Sequence, residues 1–152
     1  MVEVGERIPD LTLIDTGLKP VNLMEATKGK TVMAFFPGAF TSVCTKELCT
    51  FKDDMSKFSS LNANVLGISV DGPFANKGFK EKNSLNFTLL SDFNRTAVKA
   101  FGIELADFAG IKGYTAAKRA VFIVAGGVVK YKWVSDDPGV EPKYQEIEAA
   151  LA

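Results

Sequence analysis

The chain has 152 residues, 47% of them hydrophobic and 24% charged, which fits one globular domain spanning residues 1–152 and excludes a disordered or collagenous chain. Eighteen basic and eighteen acidic residues leave a formal net charge of +0, which argues against nucleic acid or an anionic membrane as the main partner. There is no histidine and there are only two cysteines. That excludes a Ser-His-Asp triad, a Cys-His pair and any His-ligated metal, and leaves too few thiols for a disulfide scaffold or a four-ligand cluster. Neither a cofactor nor a metal is expected.

Residues 1–10 carry Glu3, Glu6, Arg7 and Asp10 and lack the apolar stretch of a secretory signal. The most apolar run, 120–129, is too short to span a membrane and is interrupted by Gly126 and Gly127. A soluble, cytoplasmic protein is expected. Two sequons at Asn86 and Asn94 read as chance matches, because nothing else points to secretion.

In chain order, 11–14 and 21–23 read as short strands about a turn at Gly17 and Pro20, an N-terminal β-hairpin. Residues 31–36 form a continuous apolar run, as in a strand covered on both faces, ending at Pro37-Gly38. Leu48, Phe51, Met55, Phe58 and Leu61 recur at helical spacing and predict one helix packed on a sheet. A buried strand at 64–70 follows, then a helix opened by Asp71-Gly72-Pro73 and running to about Asn83.

A strand at 87–90 and a helix at 95–101 closed by Gly102 come next, then a loop marked by Gly110 and Gly113. A hairpin pairs 120–124 with 128–133 over Gly126-Gly127, and a helix covers 142–151. The alternation predicts a three-layer α/β/α domain with a mixed central sheet. Such sheets place reactive sites at the carboxyl ends of their strands, which directs attention to the turn after Phe36.

That turn runs from Pro37 through Thr41 and Cys44 to Cys49. With Thr41 or Ser42 as N-cap, Cys44 falls in the first helical turn, where free amides and the helix dipole stabilise an anion. The thiolate is the reactive form, so this placement activates a nucleophile in a chain without an imidazole base. The competing reading is that Cys44, beside Val43, is a small buried hydrophobe.

Pro37-x-x-x-Thr41-x-x-Cys44, followed by Glu47, resembles the active-site signature of the peroxiredoxins, thiol peroxidases on a thioredoxin-like fold. Further blocks at 5–13, 65–71, 87–92 and 119–124 resemble that family in its order, so the resemblance spans about residues 5–133. It implies a peroxidatic role for Cys44, which becomes a sulfenic acid. Charge stabilisation would come from the Thr41 hydroxyl, the first-turn amides and Arg119, with Pro37 limiting solvent access and Glu47 supporting an arginine. Thr41 could instead be only a cap, Pro37 only a strand stop, and Arg119 only a surface charge. Lys118 is the rival cation, but adjacent strand residues face opposite ways.

Cys49 follows Cys44 by five residues, a spacing that resembles the bacterioferritin comigratory protein branch, in which both cysteines lie on one helix. An ideal helix puts such Cα atoms about 8.7 Å apart, beyond the roughly 7 Å a disulfide allows. If Cys49 resolves the sulfenic acid, the helix must first unwind. Cys49 could equally be a core residue beside Leu48, because the motif also resembles the type-II branch, which does not resolve at this position. The resemblance further implies hydroperoxide substrates, a thioredoxin- or glutaredoxin-like reductant and a possible homodimer. Two other readings are a redox-sensing or chaperone-like protein of the same fold and a thioredoxin-type oxidoreductase. The second is disfavoured because four residues, not two, separate the cysteines.

Overall fold

The computed structural model describes all of residues 1–152. Strands β1 (Thr12–Asp15) and β2 (Pro20–Asn22) form the N-terminal hairpin. Asn22 then caps a short helix α1 (Leu23–Ala26), its side chain accepting the Glu25 amide at 3.0 Å, so Leu23 begins a helix rather than ending a strand. β3 (Thr31–Phe35) leads into α2 (Ser42–Asp53) and α3 (Met55–Ser60), followed by β4 (Asn64–Ser69) and α4 (Pro73–Lys82).

β5 (Thr88–Ser91) and α5 (Thr96–Phe101) come next, then a small ribbon of β6 (Glu104–Leu105) with β7 (Ala116–Ala117). The hairpin of β8 (Arg119–Ala125) and β9 (Val128–Ser135) and the helix α6 (Tyr144–Leu151) close the chain. Two further expectations change. The single helix read across Leu48 to Leu61 is broken at Asp54, which ends α2 and precedes α3. The loop around Gly110 carries the β6–β7 ribbon, whose two-residue strands are too short to show a period.

Seven strands form one mixed sheet in the order β2-β1-β5-β4-β3-β8-β9. β3, β4 and β5 are parallel, whereas β8 runs antiparallel to β3 and β9 antiparallel to β8. Strand alternation sorts the core into two halves. Met33 and Phe35 of β3 join Phe122 of β8 and Phe101 of α5 on one face. Val32, Ala34 and Phe36 join Val121, Ile123, Cys44, Leu48 and Phe51 on the other, together with Phe79 of α4 and Ile147 of α6. Helices therefore cover both faces, as the alternation of elements implies. No helix is long and apolar enough to cross a membrane.

The first half is anchored by Phe101, whose ring lies 5.1 Å from Phe35 and 5.2 Å from Phe122. Immediately after it, Gly102 closes α5 at φ +73°, where an added Cβ would come within 2.8 Å of Met1 Cα. Phe101→Ala empties a fully buried site between two rings and should cost roughly 3–5 kcal/mol. Urea unfolding, monitored by fluorescence, measures this; a loss below about 1 kcal/mol would show that the trio does not hold α5 to the sheet.

Candidate active site

The pairing of β3 with β8 builds the site. Because the two strands are antiparallel and Phe35 pairs with Ala120, the start of β8 lies beside the carboxyl end of β3. Parity then selects the cation. Arg119 shares a face with Val121 and Ile123, towards α2, while Lys118 turns the other way and pairs with Asp136 at 2.7 Å.

Thr41 has extended backbone (φ −89°, ψ 152°) and occupies the N-cap position of α2, so Cys44 is the third residue of the helix, in its first turn. The Thr41 side chain makes no capping bond. Its hydroxyl donates to the Gly38 carbonyl at 2.7 Å. The single hydroxyl hydrogen is thus committed, and Oγ1 can offer only lone pairs to a ligand. This corrects the sequence-based expectation of a Thr41 that caps the helix or donates to developing charge. The donors present at this end of α2 are Arg119, through Nη2 to the Cys44 sulfur, and the free first-turn amides.

Arg119 is 1% exposed. Its Nη2 donates to Cys44 Sγ at 3.2 Å, its Nη1 to Glu47 Oε1 at 2.8 Å, and both Nε and Nη2 to the Pro138 carbonyl, at 3.2 and 2.6 Å. Cys44 and Glu47 lie three residues apart on α2 and so share one face towards the guanidinium. Burial works against the Arg119 charge, but Glu47 and Cys44 beside it push its pKa above the ordinary value. Glu47 is fully buried and its Oε2 has no hydrogen-bond partner. Burial outweighs the opposing pull of Arg119 and raises its pKa from 4.5 to about 7.

Above the sulfur lies an open cavity of about 190 Å³ bounded by Pro37, Thr41, Cys44, Arg119, Phe108 and Pro138. Pro37 is buried and forms one wall. Pro37, Thr41, Cys44, Glu47 and Arg119 are therefore brought together. Cys49 is not: it is half-buried on another side of α2, with Sγ 3.8 Å from Asn83 Oδ1 at the end of α4. Sequence reasoning missed Pro138 and Phe108. Asp137-Pro138-Gly139 signals a turn, but nothing in it shows that the Pro138 carbonyl meets Arg119.

A chain that buries a thiol against a guanidinium at the start of a helix, on this sheet, is a thiol enzyme of the thioredoxin fold. The AhpC/TSA family model matches residues 4–132, and the chain belongs to that family, as a peroxiredoxin. It is 35% identical over 133 residues to a bcp peroxiredoxin of Coxiella burnetii, covering 87% of this chain and 88% of that protein. It is 38% identical over 112 residues to the chloroplastic peroxiredoxin Q of Arabidopsis thaliana, covering 74% of this chain and 52% of that protein. The chain thus spans about half the length of that chloroplast relative.

Among solved structures, peroxidoxin BcpB of Mycobacterium tuberculosis superposes with a TM-score of 0.86 at 28% identity, covering 99% and 97% of the two chains. Reduced Prx3 of Vibrio vulnificus in complex with H2O2 gives 0.90 at 25% identity, with 100% of both chains covered.

The position of Glu47 makes stability depend on pH. Between pH 4.5 and about 7 the folded chain keeps a Glu47 proton that the unfolded chain releases, so this group's contribution falls as pH rises through that window. Urea titrations at pH 5 and pH 8 should show the parent losing roughly 2–3 kcal/mol more than Glu47→Gln. Equal losses in the two proteins would mean that Glu47 titrates normally.

Proposed function

We propose that the chain reduces hydrogen peroxide and small organic hydroperoxides at Cys44. The observation that carries this reading is the buried Cys44 sulfur 3.2 Å from Arg119 Nη2, at a cavity of about 190 Å³ suited to a small hydroperoxide. The adjacent guanidinium and the amides of the helix start put hydrogen-bond donors and positive field beside the sulfur, where charge moves during the reaction.

The thiolate attacks the terminal peroxide oxygen. The S–O bond forms as the O–O bond breaks, hydroxide or alkoxide leaves and takes a proton from solvent, and sulfur is oxidised by two electrons to the sulfenic acid. Arg119 and the first-turn amides stabilise the charge shifting from sulfur to the leaving oxygen. Thr41 Oγ1 accepts the peroxide O–H and orients it. Pro37 screens the sulfur, and Glu47 holds Arg119 in register. The H2O2 bound to the Vibrio vulnificus protein supports this substrate class.

Cys49 then attacks the Cys44 sulfur, water leaves, and an intramolecular disulfide forms. The two thiols occupy different sides of an intact α2, so the helix unwinds first. That step releases Lys46 from Glu141 (3.1 Å) and Lys52 from the Asn83 carbonyl (3.1 Å). A thioredoxin- or glutaredoxin-like dithiol in the cytoplasm reduces the disulfide and restores both thiols.

Peroxide consumption with dithiothreitol is expected to vanish in Cys44→Ser and to fall about 10²–10³-fold in kcat/KM in Arg119→Met. Lys118→Met should stay within about twofold of the parent, as its strand parity requires. A fully active Arg119→Met would overturn the site. For the second cysteine, mass spectrometry after one equivalent of peroxide should detect a Cys44–Cys49 disulfide. Oxidised Cys44 with Cys49 always a free thiol would instead identify a one-cysteine peroxidase in which Cys49 is structural.

A further inference from the structure

The loop between β3 and α2 is tied down by a side chain that does not line the cavity. Asp71, just beyond β4, accepts the Ala39 amide on Oδ2 at 2.8 Å, across 32 residues of chain. The same oxygen accepts the Ser69 hydroxyl at 2.8 Å. Ser69 is fully buried, with Oγ 3.3 Å from Asn76 Oδ1, and the buried Asn76 donates through Nδ2 to Ser91 at 3.1 Å. The carboxylate is therefore held by β4, α4 and β5, a rigid base rather than a mobile surface group.

The Ala39 N–H and the Gly38 C=O belong to one planar peptide unit. Asp71 takes its N–H end, and the Thr41 hydroxyl donates to its C=O end at 2.7 Å. A carboxylate on the N–H resists rotation of the peptide plane and polarises the amide, making its carbonyl a stronger acceptor for Thr41. The loop also carries strain. Phe40 sits at φ +65°, a region that bulky side chains avoid unless their surroundings hold them there. Its ring is braced edge-on against Phe79 at 5.4 Å, so the loop is gripped from both sides of Phe40.

We propose that Asp71 is a positioning residue for the peroxide reaction: through the Gly38–Ala39 peptide it orients Thr41 Oγ1 as an acceptor facing the cavity, a role that rests on Thr41 itself contacting the peroxide. Asp71 touches neither sulfur nor substrate, so it should affect how peroxide is held and not whether the thiol can react.

Two rates separate these effects in the single-thiol Cys49→Ser chain: the second-order rate constant with hydrogen peroxide and the rate of Cys44 alkylation by iodoacetamide. Asp71→Ala should lower the peroxide constant roughly 10- to 100-fold and leave alkylation within about twofold. Asp71→Asn keeps an acceptor for Ala39 and should stay within about threefold of the parent. In a Thr41→Val background, Asp71→Ala should cost less than about twofold further, because its effect passes through that hydroxyl. If Asp71→Ala does not fold, Asp71→Ser replaces it, with an oxygen one bond too short for the Ala39 amide.

An Asp71→Ala peroxide constant within twofold of the parent, a parallel change in alkylation, or a loss fully additive with Thr41→Val overturns the assignment of Asp71 while leaving Cys44 and Arg119 untouched. A Thr41→Val constant equal to the parent's instead removes the Thr41 role itself, and the Asp71 assignment with it.

Discussion

The structure is organised around one buried guanidinium. Taking Arg119 out of water is costly, and it is tolerated because a carboxylate, a thiol and a backbone carbonyl converge on its donors. Those partners come from two different elements, Cys44 and Glu47 from α2 and Pro138 from the turn after β9. Removing any one of them would leave buried polar groups uncompensated. The arrangement is worth little as a source of stability, since buried ion pairs seldom repay their desolvation. What it provides is a fixed positive charge beside a sulfur that borders an open cavity of about 190 Å³.

Helix α2 has to satisfy competing demands. A single buried stripe presents Cys44 and Glu47 to Arg119 and also packs Leu48 and Phe51 into the core. Cys49 is directed to the end of α4. An intact helix gives the reactive thiol its amides and its neighbour Arg119, but it keeps the two sulfurs apart. α2 ends at Asp53, and beyond the break at Asp54 the separate helix α3 is packed through the buried Phe58. An intact α2 thus holds Cys44 beside Arg119 and Cys49 beside Asn83.

The loop before α2 shows how a strained segment is stabilised from outside. Phe40 holds a left-handed backbone, and the Thr41 hydroxyl is turned away from the helix it precedes. Asp71 and Phe79, which come from the next strand–helix unit, hold this loop at Ala39 and at the Phe40 ring. The parallel β3–β4 pairing thus shapes the cavity as much as the antiparallel β3–β8 pairing does.

Much of this was legible in the residues themselves. Continuous apolar runs and 3.6-residue spacing located the main strands and helices, because burial on both faces of a sheet and on one face of a helix leaves those patterns locally. The absence of histidine excluded imidazole chemistry, and an N-cap at Thr41 or Ser42 placed Cys44 at a helix start. Strand parity even separated Arg119 from Lys118. The partner of the Arg119 fork, the hydrogen direction of the Thr41 hydroxyl, the Asn83 neighbour of Cys49 and the grip of Asp71 on Ala39 were decided only by the tertiary structure. Each joins groups distant along the chain or depends on a backbone carbonyl or amide, and every residue carries those groups alike, so composition and spacing hold no trace of them.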